Sequence, residues 1–107
     1  MSAIKSIIAT WRYHRALGLY GNRFQSLALL QVRKAVAIEP DEKIKPRYLL
    51  LQSEIEMEIG KIEIALNTLS SAKNIIEKHR DYWALDENNH IVLQIEEAFK
   101  LCKDKER

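Results

Sequence analysis

The residue types capable of chemistry are few in this chain, and their spacing works against them. His14, His79 and His90 lie far apart with no His-Glu-x-x-His or comparable ligand pattern, so surface or helix-cap positions suit them better than a metal centre. The single cysteine, Cys102, has no second cysteine for an internal disulfide and no histidine at zinc-ligand spacing, which implies a reducing compartment. His79-Arg80-Asp81 repeats the His-Arg-Asp order of phosphoryl-transfer catalytic loops. The metal-binding Asn of such loops belongs five residues after the Asp, where this chain has Asp86, and no glycine loop is present to cover a phosphate. Glu54, Glu56 and Glu58 alternate, which on a helix scatters three carboxylates around the cylinder and leaves only Glu54 and Glu58 on one side. Paired carboxylates do acid–base work inside a pocket. With no nucleophile or pocket-forming loop beside them, an acidic strip facing solvent or a partner is the expectation, and Glu96-Glu97 reads the same way. No catalytic, metal or cofactor-binding residue is assigned, and a non-enzymatic role is expected.

The stretch with the strongest binding character is Trp11-Arg12-Tyr13-His14-Arg15, continuing to Tyr20 and Arg23-Phe24. Cations interleaved with aromatics suit single-stranded nucleic acid or an anionic surface, and the acid-free, Arg- and Ser-containing start has some look of an organelle presequence. Against both, Trp11 shares one helical stripe with Ile4, Ile7 and Ile8, where an aromatic is usually core. The formal net charge is +2, yet residues 1–38 hold Lys5, Arg12, Arg15, Arg23, Arg33 and Lys34 with no acid. Setting those six cations aside leaves −4 on residues 39–107. Such a split steers an acidic partner to the first third or favours head-to-tail self-association.

These residues must be carried by helices. The sequence is 47% hydrophobic and 30% charged with three glycines and two prolines, too few turn residues for an all-β fold, and at 107 residues one domain is expected. No secretory leader is recognised at the start, and no apolar run approaches the roughly 18 residues of a membrane span. A soluble, cytoplasmic protein is expected. Helical periodicity predicts about five helices, over roughly 2–20, 24–38, 46–60, 61–78 and from Asp81 or Asp86 to about Cys102. Gly21-Asn22 breaks the first, Pro40-Asp41 stops the second, Pro46 opens the third and Gly60 closes it. The tail Lys103–Arg107 is expected to fray.

Ala28, Val32, Ala35 and Pro40 in one copy, and Gly60, Ala65, Leu69 and Ala72 in a second, resemble the tetratricopeptide repeat, a helix-turn-helix unit of about 34 residues with small residues where its helices approach. Ala28 to Ala65 and Ala35 to Ala72 are both 37 residues, an excess that fits a longer connection around Asp41–Lys45. Glu77 stands where the second copy's closing proline belongs, and Gly21 to Ala28 is two residues longer than Gly60 to Ala65. Trp83 lies where a third repeat places its opening aromatic. The resemblance implies an all-α, antiparallel α-hairpin stack with repeat-like units over about 11–40 and 46–77 and a C-terminal helix over about 81–102. It also implies a module that binds a peptide or helix of another protein, as an adaptor or small chaperone subunit, with no cofactor.

The first helix is apolar on two sides: Ile4, Ile7, Ile8 and Trp11 on one, and Tyr13, Ala16, Leu17 and Tyr20 on the other. Its paired helix can bury only one set. The expected partner or dimer face is therefore Ile4, Ile7, Ile8, Trp11, Arg12 and Arg15, covered by the last helix, another protein or a second copy, with a homodimer favoured because twofold pairing is the commonest closure.

Overall fold

The computed structural model describes residues 2–106, and among these it is helical with no strand. Helix α1 spans Ser2–Gly21, α2 Gln25–Ile38, α3 Lys45–Glu58, α4 Ile62–Lys78, α5 Arg80–Trp83 and α6 Asp86–Glu106, with a 3-10 turn at Glu42–Ile44 before α3. Successive long helices run antiparallel. Ser6 bonds to Glu39 and Arg12 to Gln31 across α1–α2, while Lys73 of α4 caps the Phe99 ring of α6. Each long helix packs on its sequence neighbours, and α3 also touches α1 and α6.

Sequence chemistry explains the boundaries. Pro40 forces Glu39 into extended backbone (φ −65°, ψ 118°), which ends α2. The Asp41 side chain accepts from the Lys43 N–H at 3.3 Å and starts the 3-10 turn, and Pro46 sits in the first turn of α3, where a missing N–H costs nothing. Of the two starts expected for the last helix, Asp86 is the one used, while near Asp81 a separate single turn forms from Arg80. The chain makes the one-turn α5, in which the Trp83 indole N–H donates to the Lys43 carbonyl at 2.9 Å, and then begins again at Asp86. Contrary to the expected frayed tail, α6 continues past Cys102 to Glu106, whereas Arg107 lies outside the described residues. Lys103 and Lys105 in its last turn complement the helix dipole, and the Lys103 ammonium lies 5.0 Å from the Phe99 ring one turn back.

The two hairpins α1–α2 and α3–α4 turn identically. In the first, Asn22, Arg23 and Phe24 donate to the carbonyls of Gly18, Tyr20 and Leu19. In the second, Ile59, Gly60 and Lys61 donate to Ile55, Met57 and Glu56. Every residue of the second set is 37 positions beyond its counterpart in the first, the same offset as the two alanine pairs. The left-handed corner falls on Arg23 (φ 67°) in one turn and Gly60 (φ 87°) in the other. Gly21 therefore does not turn the chain. Moving the corner to Arg23 removes the two-residue mismatch that Gly21 suggests.

Two apolar clusters share α3. Tyr48, Leu51 and Ile55 pack with Ala9 and Ala16 of α1 and with Ala28, Leu29, Val32 and Ala35 of α2. Leu49 and Leu50 pack with Ala65, Leu69 and Ala72 of α4, Trp83 of α5, and Ile91, Ile95, Ala98 and Cys102 of α6. Two buried carboxylates tie the helices together. Glu39 accepts from Ser6 (2.7 Å), Tyr48 (3.1 Å) and the Asp41 N–H (3.1 Å). Glu56 is fully buried on α3 and accepts from Thr68 of α4 (2.7 Å), Gln52 (3.1 Å) and Arg33 of α2 (3.3 Å). A buried charge is tolerated only with partners of this kind.

Candidate functional site

Helix α1 meets α2 through alanines. Ala9 and Ala16 of α1 and Ala28 and Ala35 of α2 have no exposed surface, and at these alanines the two helices pack together. Tyr13 and Tyr20 lie on the same inner side as Ala9 and Ala16 and are half-buried, with Tyr13 tilted against Tyr48 at 4.9 Å between ring centres. The helical period then carries Ile4, Ile7 and Trp11 to the opposite side, where they are 58%, 68% and 57% exposed. Ile8 is exposed to a smaller extent, 36%. Leu17, expected on the inner side, is exposed as well.

Trp11 is thus not core. The expectation that an aromatic on this stripe is core fails because no described element lies over this side of α1, the side also expected as a partner face. Its guanidinium neighbours are close: the Arg12 and Arg15 carbons lie 5.8 and 5.9 Å from the indole centre. Arg12 also donates to the Gln31 side chain of α2 at 2.8 Å, so it sits at the α1–α2 seam with Ile8 one turn before it. Across the seam, exposed Leu27 lies one turn before Gln31, and Leu30 beside it is exposed too. All six residues of the expected face are therefore on one helix and adjoin one another.

Two further members of this face are His14 and Gly18, both exposed. With Ile4, Ile7 and Trp11 they complete a row spaced 3, 4, 3 and 4 residues, the seam pattern of one helix packing along another. The 37-residue offset finds them, because it maps Trp11, His14 and Gly18 onto Tyr48, Leu51 and Ile55 of α3. Those three are buried (4%, 4% and 0% exposed) against the preceding hairpin. The row on α1 is the same face of the same hairpin, lying open. A Cβ on Gly18 would meet nothing within 4 Å.

The carboxylates expected to form a strip divide. Glu56 is buried as described, while Glu54 and Glu58 face the tyrosines of α1. Burial, and then the neighbouring Glu58, hold the Glu54 carboxyl above its ordinary range. Burial and a hydrogen bond to Glu58 push the Tyr20 phenol up, and burial raises Tyr13 and Tyr48. Glu54 also lines an open groove with Met57 of α3 and Gln94, Glu97, Ala98 and Leu101 of α6. No group of three or more His, Cys, Asp or Glu able to hold a metal occurs among the described residues. His14 and His90 are exposed, whereas His79 is half-buried at the end of α4 with its Nε2 unbonded. No described helix is long and apolar enough to cross a membrane. No family model, curated protein or solved structure matches this chain.

Proposed function

We propose that this chain is a non-enzymatic protein–protein interaction module, a tetratricopeptide-like hairpin stack that acts as an adaptor or small chaperone subunit by holding a helix or peptide of another protein on the outer face of α1. The observation that carries this reading is the open row of Ile4, Ile7 and Trp11 flanked by Arg12 and Arg15. A contiguous apolar face on a small protein marks an interaction surface. Support for the hairpin-stack reading comes from the repeated turn and the alanine pairs at the same offset. The lone cysteine suits work in the reducing cytoplasm. Affinity capture from the native cell with the parent protein and with Ile7→Asp tests the proposal. A protein retained by the parent, lost from the folded variant and binding again when purified supports it. Identical capture by both would remove the α1 face from consideration.

A second reading rests on the exposed Trp11 between two guanidinia, an arrangement that stacks well on an unpaired base. Single-stranded oligonucleotide affinity should then fall steeply with salt and drop on replacing Arg12 and Arg15. No retention at low salt removes it.

A further inference from the structure

The partner's chemistry follows from the internal repeat and the charge around the open row. We propose that the α1 face takes a single amphipathic α-helix of another protein whose apolar stripe is flanked by carboxylates, an inference that rests on the proposed binding role of this face. On α3 the equivalent face is covered by the preceding hairpin, with helix α2 lying along it and Arg33 of α2 reaching Glu56. There the covering helix brings the cation and the covered helix supplies the acid. On α1 the counterpart of Glu56 is Leu19, and the charges beside the row are cations. Arg12 and Arg15 stand 37 residues before Leu49 and Gln52, and the exposed Lys5 and Lys34 come seven residues before Arg12 and three after Gln31. The first carboxylate of the chain is Glu39, which is buried and already accepts three hydrogen bonds. A covering helix must therefore bring its own acids.

The same placement separates this occupant from others. Pairing of two copies through α1 brings together two faces that carry cations and no acid, and like charges oppose association. A lipid surface takes cations at the margin of an apolar face. Here the Arg12 guanidinium is bonded to Gln31 of α2 at 2.8 Å, so it stands beside the row and is not extended toward a headgroup layer. Gly18 has open space above it, which lets an incoming backbone come close at that end of the row.

The test selects a displayed library of random peptides about 16 residues long, enough for four helical turns, on the parent protein. Binders are then scored on Ile7→Asp, on Gly18→Gln and on the double variant Arg12→Glu/Arg15→Glu. Gly18→Gln places its side chain in open space, so the fold is kept while the row is blocked; thermal unfolding and helicity verify both. Expected are binders with net negative charge and apolar residues at i, i+3 or i+4, and i+7, each weakened about tenfold or more by all three variants. Binders that depend on Ile7 and Gly18 but show no acidic excess, or ignore the arginine reversal, overturn the acidic assignment and leave the face as a protein-binding surface. No binder dependent on Ile7 or Gly18 overturns the binding role along with it. Two parallel measurements decide the other occupants. Trp11-dependent binding to phosphatidylcholine vesicles containing about a quarter phosphatidylserine, at physiological salt, overturns the proposal in favour of lipid. A dimer in sedimentation that Gly18→Gln dissociates overturns it in favour of a second copy.

Discussion

Hairpins α1–α2 and α3–α4 share one backbone turn and one pair of alanine contacts, yet they distribute their large apolar side chains in opposite ways. In α3–α4, Leu49, Leu50, Leu51, Ile55 and Leu69 point into the two clusters. In α1–α2, Ile4, Ile7, Trp11, Leu27 and Leu30 point out, and the inner contact is made by alanines, tyrosines, Leu29 and Val32. The difference is one of position. A hairpin in the middle of a stack has a neighbour on each side, whereas among the described residues α1 is packed on one side only, so an identical turn leaves the corresponding face uncovered. Close approach through alanine defines the hairpin, and burial of large side chains comes from whatever packs on it next.

Replacing one residue in each hairpin breaks this comparison most sharply. Leu69→Ala should lower stability by about 2–5 kcal/mol, since it empties a fully buried site. Ile7→Ala should change it by less than about 0.5 kcal/mol, as expected for an exposed position. Thermal unfolding of both variants reads the contrast, and a large loss for Ile7→Ala would mean that the row is covered in solution. Next in size is Ala28→Leu, which forces three more side-chain carbons between α1 and α2. Overpacking there should cost about 1–3 kcal/mol. A neutral result in denaturant titration would show that close approach does not define the hairpin.

The turn corners give a smaller, two-signed effect. Arg23 holds a left-handed conformation that costs a side-chain-bearing residue about 1 kcal/mol, so Arg23→Gly should stabilise by up to that amount, while Gly60→Ala should destabilise by a similar one. Opposite shifts of the melting temperature would confirm that the two turns are equivalent. The smallest effect is Glu54→Gln. Because its carboxyl holds a proton more tightly in the folded chain than in the unfolded one, Glu54 contributes stability that is present below the ordinary value of 4.5 and lost as pH rises through the folded value. Removing the charge, which also relieves the i, i+4 repulsion with Glu58, should stabilise by about 0.5 kcal/mol at neutral pH. The gain should vanish in acid, and a gain independent of pH would place its origin elsewhere.

Much of this arrangement is legible in the residues themselves. Pro40, Pro46 and Gly60 mark real boundaries because each acts on its own backbone, and the alanine offset of 37 is the true spacing of the two turns. What local pattern misses depends on distant helices. Glu56 reads as one of three similar glutamates until Thr68 and Arg33, from two other helices, arrive to bond it. Trp11 reads as core because periodicity reports which residues share a side, but not whether anything lies over that side. Gly21 looks like the corner because glycine is the usual left-handed residue; the hydrogen bonds put the corner two residues on, at an arginine. The candidate face is legible as four apolar residues with two arginines, three of the four on the row. His14 and Gly18 join it only through the offset.

The two tryptophans stand at opposite extremes of environment, and this gives the protein a pair of independent optical channels. Trp83 is 2% exposed with its indole N–H bound to the Lys43 carbonyl, and Trp11 is 57% exposed between two guanidinia. Trp83 should emit toward the blue and ignore iodide until the chain unfolds. Trp11 should emit toward the red and be quenched strongly, since the arginines concentrate an anion beside it. A ligand settling on α1 would therefore silence the iodide response at the red edge and leave the blue edge unchanged.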